Sequence, residues 1–431
     1  MRRPIAAFTA ALILSTGCAE ASPSPSPSPS PSPSPSGSGS GSGSPSPSPS
    51  PSGSGSGSAS PSPSPSAHAP TRVRTVRAST APSGPPAQGR YGACSPEDAG
   101  AAYPGAAWET LTPARSGWSA EGLAAFEAAA RRGHWVAGMV VHRGRVVSSF
   151  GDLDRAYDTR SIRKSLLGAV IGQHIADGRL RLDATMAELG IDEHDPLTAT
   201  ERTATVHDLL RSRSGIYREA AFMSPGDREG MPAKGSHAPG THYWYNNWDF
   251  NALGTIVRNT GGASLGRQME AGFSRALQMQ DFTASDVRED LEEVSVHPSY
   301  RTWMSTRDRA RFGYLYLRNG CWNAHQVVPA QWVADTLYPH TQREEADDYG
   351  YLWRSQEGIE RLGMTQRFYS ARGNHLQYIM LIPEWDVVLV LTTDMDHPAW
   401  INWLRTRLGR MPEITDVRDV LAALAEARPT D

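Results

Sequence analysis

Residues 158–168 read DTRSIRKSLLG, and this stretch decides how the rest of the chain is interpreted. Only two of the 42 Lys and Arg residues are lysines, at positions 164 and 234. An arginine keeps its proton in proteins, whereas a lysine can be made neutral by burial or by nearby positive charge. Lys164 is therefore a candidate base. Ser161 lies three residues before it, which places both side chains on one face of a helix.

Two later segments carry further candidate chemistry. PGTHYWYNNWDFNALG, at 239–254, contains Tyr245 and Asn247. FYSARGNHLQYIMLIPEWDVVLVLTTD, at 368–394, contains a small-residue triplet at 371–373 ahead of a β-rich run. Nucleophilic catalysis by serine needs a neighbouring base and a group that orients this base, so these segments are the natural partners of Ser161.

In order and spacing, the three segments resemble the serine β-lactamase/penicillin-binding-protein superfamily, in particular its class C β-lactamase-like serine hydrolases. This group includes D-alanyl-D-alanine carboxypeptidases, esterases and 6-aminohexanoate-dimer hydrolases. It shows S-x-x-K, then Y-x-N after a P-G-T lead-in, then K-T-G or H-x-G on a strand. The resemblance covers roughly 115–400. It implies an α/β (α+β) fold of the β-lactamase/transpeptidase type, an antiparallel sheet flanked by helices with an all-α insertion.

The resemblance also assigns roles to the motif residues. Ser161 would be the nucleophile and Lys164 the base that activates it. Tyr245 would relay the proton to the leaving group, and Asn247 would orient Lys164 and the substrate. Elementary physics agrees. A helix N-terminus and the neighbouring Arg160 and Arg163 disfavour a further positive charge, so the pKa of Lys164 is expected to fall.

The third motif departs from the family pattern. It reads Ala371-Arg372-Gly373, where the family usually begins with Lys or His, the partner of a substrate carboxylate. Arg372 replaces this partner only if its side chain turns inward, since neighbours on a strand face opposite sides. The resemblance places Gly373 beside the substrate and makes the backbone N–H groups of Ser161 and Asn374 the oxyanion hole.

Tyr217, in SRSGIYREAAF, is a candidate substrate-binding residue. A tyrosine that only packs within a loop is an equally good interpretation. The sequence contains no metal-binding motif, so neither a metal nor another cofactor is predicted.

Hydrophobic periodicity predicts the elements around these motifs. A helix is expected over 119–133, a hairpin around 143–145 and a buried helix over 161–178. Helical segments are expected to dominate 180–320, including 205–211 and 248–260. The remaining expectations are strands at 349–355, 367–372, 376–382 and 386–394, and closing helices at 397–409 and 417–427.

The N-terminal region predicts export. MRRP is basic, residues 5–17 are apolar but too short to span a bilayer, and STGC resembles a lipobox ending at Cys18. We therefore expect a lipoprotein signal peptide at 1–18, with ordinary cleavage or an uncleaved anchor as alternatives. Residues 19–90 are expected to be a disordered Ser/Pro/Gly linker with a reach on the order of 100 Å. The hydrolase domain is expected at 105–431.

Composition limits the partners. The formal charge of −3 and the dispersed arginines give no sign of nucleic-acid binding. The expected partners are a small ester or amide, a cell-wall peptide as an option, and a membrane reached through lipid on Cys18. The expected location is the bacterial cell envelope. Cys94 and Cys321 then remain, and the sequence leaves a disulfide and two unrelated thiols equally open.

The predicted function is hydrolysis of an ester or amide through an acyl-enzyme on Ser161, with an esterase-like preference because of Ala371. Two alternatives stay open at this point. One is a peptidoglycan D-Ala-D-Ala carboxypeptidase or β-lactamase. The other is a non-catalytic, penicillin-binding-like sensor module.

Overall fold

The computed structural model describes residues 91–343 and 347–429. The predicted signal peptide at 1–18, the predicted lipid site at Cys18 and the predicted linker at 19–90 lie outside these residues. None of the helices in the described part of the chain is both long and apolar enough to cross a membrane.

The main sheet has seven antiparallel strands in the order β2-β1-β12-β11-β10-β9-β8. Two smaller sheets have the orders β3-β5-β4 and β6-β7. The strands are β1 (Ala137–His142), β2 (Arg145–Gly151), β3 (Ala156–Asp158), β4 (Val287–Glu292), β5 (Ser295–Ser305), β6 (Cys321–Trp322), β7 (His325–Gln326), β8 (Asp348–Tyr349), β9 (Arg354–Gln356), β10 (Phe368–Gly373), β11 (Gln377–Ile382) and β12 (Val387–Thr392).

Helices cover both faces of the main sheet. They are α1 (Pro96–Gly100), α2 (Pro113–Ser116), α3 (Ala120–Arg132), α4 (Ile162–Ala176), α5 (Met186–Leu189), α6 (Val206–Leu210), α7 (Pro225–Glu229), α8 (Asn247–Gly261), α9 (Leu265–Met269), α10 (Thr306–Leu317), α11 (Ala330–Leu337), α12 (Ala399–Arg407) and α13 (Ile414–Ala427). Short 3₁₀ turns lie at Glu201–Thr203, Ala284–Asp286, Glu360–Leu362 and Pro383–Trp385, and a π turn lies at Glu270–Ser274.

The alternation of side chains along each strand divides the core into two layers. On β11, Ile379 and Leu381 point into a cluster that contains the apolar residues of α4, α8 and α10. Tyr378 and Met380 point into a second cluster with α3 and α13. This is the period of two that a doubly covered sheet imposes. The predicted buried helix is confirmed, because α4 is buried on all sides from Ile162 to His174.

The predicted hairpin is also confirmed. β1 pairs with β2, and the two-residue turn between them has Arg143 at φ 51° and Gly144 at φ 79°. Two successive positive φ angles are the mark of the hairpin turn whose twist matches the strands. A Cβ on Gly144 would stand 1.9 Å from the carbonyl oxygen of Ala102, so only glycine fits at the second position.

Two regions differ from the sequence-based expectation. The region predicted to be mainly helical contains β4 and β5, a long hairpin; β4 reads VREDLE and lacks the apolar alternation that identifies strands. The strand expected at 349–355 is instead two short strands, β8 and β9, joined by a turn. This turn brings Tyr349 opposite Arg354, and the pair lies at the candidate site described below.

A disulfide joins Cys94 to Cys321 across 227 residues of sequence, which settles the choice that the sequence left open. Residues before 105 therefore take part in the fold, in addition to the expected range 105–431. Tyr103, for example, packs its ring 5.2 Å from that of Trp322, next to the bridge.

The disulfide generates a stability prediction. Because the bridge closes a long loop in the unfolded chain, Cys94→Ser with Cys321→Ser is expected to lower the free energy of unfolding by about 2–4 kcal/mol. Denaturant unfolding of the oxidised protein and the double variant measures the difference. Dithiothreitol should destabilise the wild type by a similar amount and leave the double variant unchanged. Equal stability of the two proteins would contradict the prediction.

Candidate active site

Ser161 stands at the start of α4, after a sharp turn. The preceding residue, Arg160, has φ 49°, a left-handed conformation that a non-glycine residue adopts only when its surroundings hold it there. The Arg160 N–H donates to Asp158 Oδ1 at 2.8 Å, and Arg301 Nη2 donates to Asp158 Oδ2 at 2.8 Å. Asp158 is buried. The turn thus fixes the direction in which α4 begins and in which Ser161 projects.

Lys164 is the centre of the site. Its Nζ lies 3.0 Å from Ser161 Oγ, 2.6 Å from Tyr245 OH and 3.0 Å from Asn247 Oδ1. The side chain is only 2% exposed, so these three oxygen atoms replace its hydration. The two hydroxyl groups can donate or accept a proton, whereas Asn247 Oδ1 can only accept. A neutral Lys164 can therefore donate to Asn247 and still take a proton from Ser161 or Tyr245.

Aromatic rings form the wall around Lys164. Nζ lies 4.3 Å from the ring centre of Tyr245 and 4.3 Å from that of Phe250, and these two rings are 4.9 Å apart. Phe250 belongs to α8 and is fully buried. The rings restrict water and hold the amine at the position where it meets Ser161.

Asn247 is the first residue of α8, and its amide is held at both ends. Oδ1 accepts from Lys164, while Nδ2 donates to Asp227 Oδ2 at 3.0 Å. The carboxylate can only accept, so it determines which end of the amide faces Lys164. Asp227 thereby sets the orientation of Asn247.

The third motif lies on β10, beside the turn that precedes Ser161. A Cβ on Gly373 would stand 2.7 Å from the carbonyl oxygen of Thr159 and 3.3 Å from Cβ of Arg160, so the close approach requires glycine. Ala371 is fully buried in the core layer that contains α4. A methyl group thus occupies the position at which the family usually carries Lys or His.

Arg372 is turned away from this layer. It pairs across the ladder with Tyr378, which belongs to the layer of α3 and α13, and its guanidinium lies 5.6 Å from the centre of that ring. Arg372 Nη1 donates to Asp347 Oδ2 at 3.0 Å. The structure does not bring Arg372 together with Ser161 and Lys164; its predicted contact with substrate stays a prediction.

Asn374 follows β10 in the turn to β11. Its side-chain oxygen accepts from the His375 N–H at 2.9 Å. The turn and loop hydrogen bonds of the described residues include none donated by the backbone N–H of Ser161 or Asn374. Their role as the oxyanion hole stays a prediction.

Tyr217 is buried, and its OH lies 3.3 Å from His237 Nδ1. Burial, helped by Asp249, raises the pKa of Tyr217 to about 12. The residue lines a surface cavity of about 430 Å³ together with Glu193, Arg218 and Lys234. No contact joins it to Ser161 or Lys164, so the structure gives Tyr217 a packing role here, and its substrate contact remains a prediction.

Three residues at the end of the main sheet complete the surroundings of Tyr245. The guanidinium of Arg354 lies 5.3 Å from the ring centre of Tyr245 and 5.8 Å from that of Tyr349. Asp347 Oδ2 lies 4.0 Å from Arg354 Nη1. Burial raises the pKa of Tyr349 well above its usual value, and the neighbouring tyrosines add to the shift. Tyr349 therefore stays protonated.

Sequence reasoning missed several residues of this arrangement: Asp227, Phe250, Asp347, Tyr349 and Arg354. Asp227 lies in a short segment, SPGDRE, whose only sequence signal is helix capping, so nothing linked it to Asn247. The pattern of YGYLWRS predicts one continuous strand, and in such a strand Tyr349 and Arg354 would not pair with each other. A turn signal at Gly350 could have revealed that the two residues face each other.

In the described residues, 91–343 and 347–429, no three His, Cys, Asp or Glu side chains converge in a group that could hold a metal ion. What the arrangement offers instead is a serine hydroxyl within reach of an amine, with a tyrosine hydroxyl in reach of the same amine. This is a constellation for nucleophilic acyl transfer.

Comparison with known proteins agrees with this geometry. A family model described as Beta-lactamase matches residues 123–407, well over half of the chain. The chain belongs to the Beta-lactamase family. The predicted superfamily and the β-lactamase-like fold are therefore confirmed, and the Beta-lactamase family is one of serine hydrolases.

Solved structures share the fold at low identity. A putative 6-aminohexanoate-dimer hydrolase from Bacillus anthracis is 17% identical, with a TM-score of 0.51 over 75% of this chain and 89% of its own. A class C β-lactamase is 12% identical, with a TM-score of 0.51 over 72% and 96%. An uncharacterized protein of Alkalihalophilus pseudofirmus is 23% identical over 221 residues, which span 47% of this chain and 62% of that relative. At these identities the solved structures bear on the fold alone.

The hydrogen bond between Asp227 and Asn247 generates a prediction. Asp227→Ala removes the acceptor that orients the amide, so acylation of Ser161 by an ester is expected to slow about tenfold, the effect of one lost hydrogen bond. Asp227→Asn is the matched control, since its side-chain oxygen still accepts from Asn247, and it should stay within about threefold of wild type. Stopped-flow acylation measures both. Equal rates for the Ala and Asn variants would contradict the orienting role.

Proposed function

We propose that the protein hydrolyses carboxylic esters through a covalent acyl-enzyme on Ser161. The observation that supports this proposal most directly is the position of Lys164 Nζ, within 3.0 Å of Ser161 Oγ and 2.6 Å of Tyr245 OH inside a buried aromatic wall. A structural lysine would need acceptors. This lysine has two partners that can themselves give up a proton.

In the proposed acylation, Ser161 Oγ attacks the carbonyl carbon while its proton passes to Lys164. The oxyanion is stabilised by the backbone N–H groups of Ser161 and Asn374 and by the N-terminus of α4. Tyr245 OH then delivers a proton to the leaving alkoxide, and Lys164 reprotonates Tyr245. The products of this half are an alcohol and the acyl-serine ester.

Deacylation reverses the proton path. A water molecule attacks the acyl carbon and gives its proton to the Tyr245–Lys164 pair. As the tetrahedral intermediate collapses, the bond to Ser161 Oγ breaks and the serine recovers its proton. One water is consumed and one carboxylic acid is released, so the enzyme returns to its starting state.

The proposed substrate class rests on the third motif. Ala371 is apolar and fully buried, and Arg372 is engaged by Asp347 on the other layer. A substrate carboxylate brought to this position would be buried without its usual partner, which is strongly unfavourable. Uncharged esters do not carry this cost. We therefore favour an esterase over a carboxypeptidase or β-lactamase.

The alternative of a non-catalytic sensor module explains less of the geometry. Binding a ligand requires a shaped surface, but it does not require a buried lysine between a serine and a tyrosine. Lys164 is only 2% exposed, and its burial is unfavourable because the amine loses hydration. A catalytic role of the amine explains this unfavourable position.

The first test identifies the nucleophile. A fluorophosphonate probe is expected to label the protein at Ser161, and Ser161→Ala should abolish both labelling and hydrolysis of p-nitrophenyl acetate. Ser165→Ala is a control, because this neighbouring buried serine donates to the Leu352 carbonyl instead of facing Lys164. Peptide mapping of the adduct to another serine would overturn the assignment.

A second prediction concerns the base. Lys164→Arg keeps the charge but cannot accept a proton, so acylation should fall by about two to four orders of magnitude. Lys234→Arg is the matched control: it changes the other lysine of the chain, which pairs with Asp195 away from this site, and should leave the rate unchanged. Pre-steady-state kinetics measures both. Near wild-type acylation by the Lys164→Arg protein would show that the lysine is only structural.

A third prediction concerns selectivity. We expect kcat/KM for nitrocefin to be at least about a hundredfold below that for a short-chain p-nitrophenyl ester, a difference of roughly 2.7 kcal/mol. Arg372→Ala should leave this ratio unchanged, because Arg372 is bound to Asp347. Efficient nitrocefin turnover that disappears in Arg372→Ala would refute the ester preference and identify Arg372 as the carboxylate partner.

A further inference from the structure

A buried arginine stands against the proposed proton relay. Arg354, on β9, has a side chain only 13% exposed, and its guanidinium lies 5.3 Å from the ring centre of Tyr245. Arginine side chains are rarely buried without a purpose, because removal of their charge from water is costly. Nothing in the reaction described so far uses this charge.

The strand register fixes the place of this arginine. On β9, Arg354 pairs with Ser370 of β10 on one side and with Tyr349 of β8 on the other. Its side chain is therefore held at the end of the main sheet, next to the rings of Tyr349 and Tyr245.

The ion pair of Arg354 with a carboxylate is long, whereas its guanidinium lies against the rings of Tyr245 and Tyr349. Its nearest carboxylate, Asp347, is 4.0 Å away, and that carboxylate also accepts from Arg372 at 3.0 Å and from Gln356 at 2.6 Å. Asp347 is thus shared, and its shortest contacts are with the other two residues. The guanidinium of Arg354 thus lies between this shared carboxylate and the Tyr245 ring.

We propose that Arg354 is a positioning residue that holds the Tyr245 ring and stabilises negative charge on its oxygen during proton relay. This inference rests on the proposed function. The charged and titratable groups around Tyr245 include Lys164 from α4, Tyr349 from β8, Arg354 from β9, and Asp347 just before β8.

The test replaces Arg354 by Met, which keeps the length of the side chain and removes its charge. The cation favours the deprotonated form of the Tyr245–Lys164 pair, so its loss should move the acid limb of the kcat/KM–pH profile to higher pH. We also expect kcat to fall about tenfold or more, with KM little changed. Arg354→Lys should restore part of both. Gln356→Leu, which also removes a partner of Asp347 but no charge, is the control and should retain the wild-type profile.

A second variant keeps the test decisive if Arg354→Met does not fold. Asp347→Asn removes the nearby negative charge, so the acid limb should move in the opposite direction, to lower pH. An unshifted limb in folded Arg354→Met, or in folded Asp347→Asn where the first variant does not fold, would show that Arg354 is only a structural tie. Ser161→Ala separates the two ideas: if it stays active, the proposed function fails, and if it is inactive while the limb does not move, only this inference fails.

An independent observation concerns the surface of α12. Four large apolar residues there are exposed: Trp400 by 66%, Trp403 by 41%, Leu404 by 41% and Leu408 by 58%. Their spacing of three, four and eight residues places them on one face of the helix. Water-facing tryptophan and leucine in such a stripe are typical of an interaction surface.

The charges of this segment have one sign. Residues 397–412 contain three arginines and one histidine but no aspartate or glutamate, in a chain whose formal charge is −3. Arg407 and Arg410 are exposed, and the guanidinium of Arg407 lies 5.3 Å from the ring centre of Trp403. Two copies of this face would repel each other, whereas an anionic partner would be attracted.

The helix adjoins the candidate active site. Asn402 donates to the Met395 carbonyl oxygen at 3.3 Å, and Arg160 Nη2 donates to the same oxygen at 3.2 Å. Arg160 is the residue before Ser161. The buried side of α12 is thus tied, through the Met395 carbonyl, to the side chain of the residue that precedes Ser161.

We infer that the exposed face of α12 docks on an anionic lipid surface. A short amphipathic helix with Trp and Leu on its exposed face and flanking arginines is the form that lies in the headgroup region of a bilayer. The arginines add to this binding, since they approach the negative potential of the surface. Amphiphilic esters in the bilayer would then reach Ser161 from its surface.

The test uses the full chain with Cys18→Ser, so that no acyl chain can be attached. Sedimentation with vesicles of phosphatidylcholine and phosphatidylglycerol should exceed that with phosphatidylcholine alone and fall with salt. Trp400→Ser with Trp403→Ser, and separately Arg407→Glu with Arg410→Glu, should each weaken binding at least about tenfold. Leu291→Ser, a change of an exposed leucine on β4, is the control.

Hydrolysis of a soluble ester should stay unchanged in all these variants, because none of the substituted residues belongs to the catalytic site. The inference would be overturned by vesicle binding that is equal with and without phosphatidylglycerol, or by binding that is unchanged in both double variants. A dimer that is lost in the Trp400→Ser, Trp403→Ser protein would also overturn it, since a second copy of the chain would then cover the face.

Discussion

The site depends on one buried lysine. Lys164 is withdrawn from water, and its amine meets the oxygens of Ser161, Tyr245 and Asn247 and the faces of two rings. An amine in such surroundings is stable only while each of these partners stays in place. The partners come from α4 and from the start of α8, so the packing of these two helices is what brings the chemistry together.

The sequence predicted the central part of this arrangement because the relevant signal was local. Ser161 and Lys164 lie one helical turn apart, and the scarcity of lysine made position 164 stand out. Tyr245 and Asn247 were placed through the resemblance of ordered motifs. The burial of α4 and the strands β11 and β12 are predicted from local runs of apolar residues.

What the sequence did not reveal came from long-range pairing. The direction of Arg372 depends on which face of β10 meets α4, and one residue of register would exchange the two faces. Arg354 and Tyr349 meet only because a turn interrupts a stretch that is apolar enough to look continuous. β4 escaped prediction for the opposite reason, since its charged residues gave no strand pattern although β5 pairs with it along its length.

The cross-link between Cys94 and Cys321 also determines how the fold bears mechanical load. Tension that enters along the chain before Tyr91 reaches the bridge after a few residues and passes by a covalent bond into the segment that follows α10. A pull on the chain before Tyr91 therefore meets a covalent bond before it reaches Ser161 or Tyr245 along the sequence.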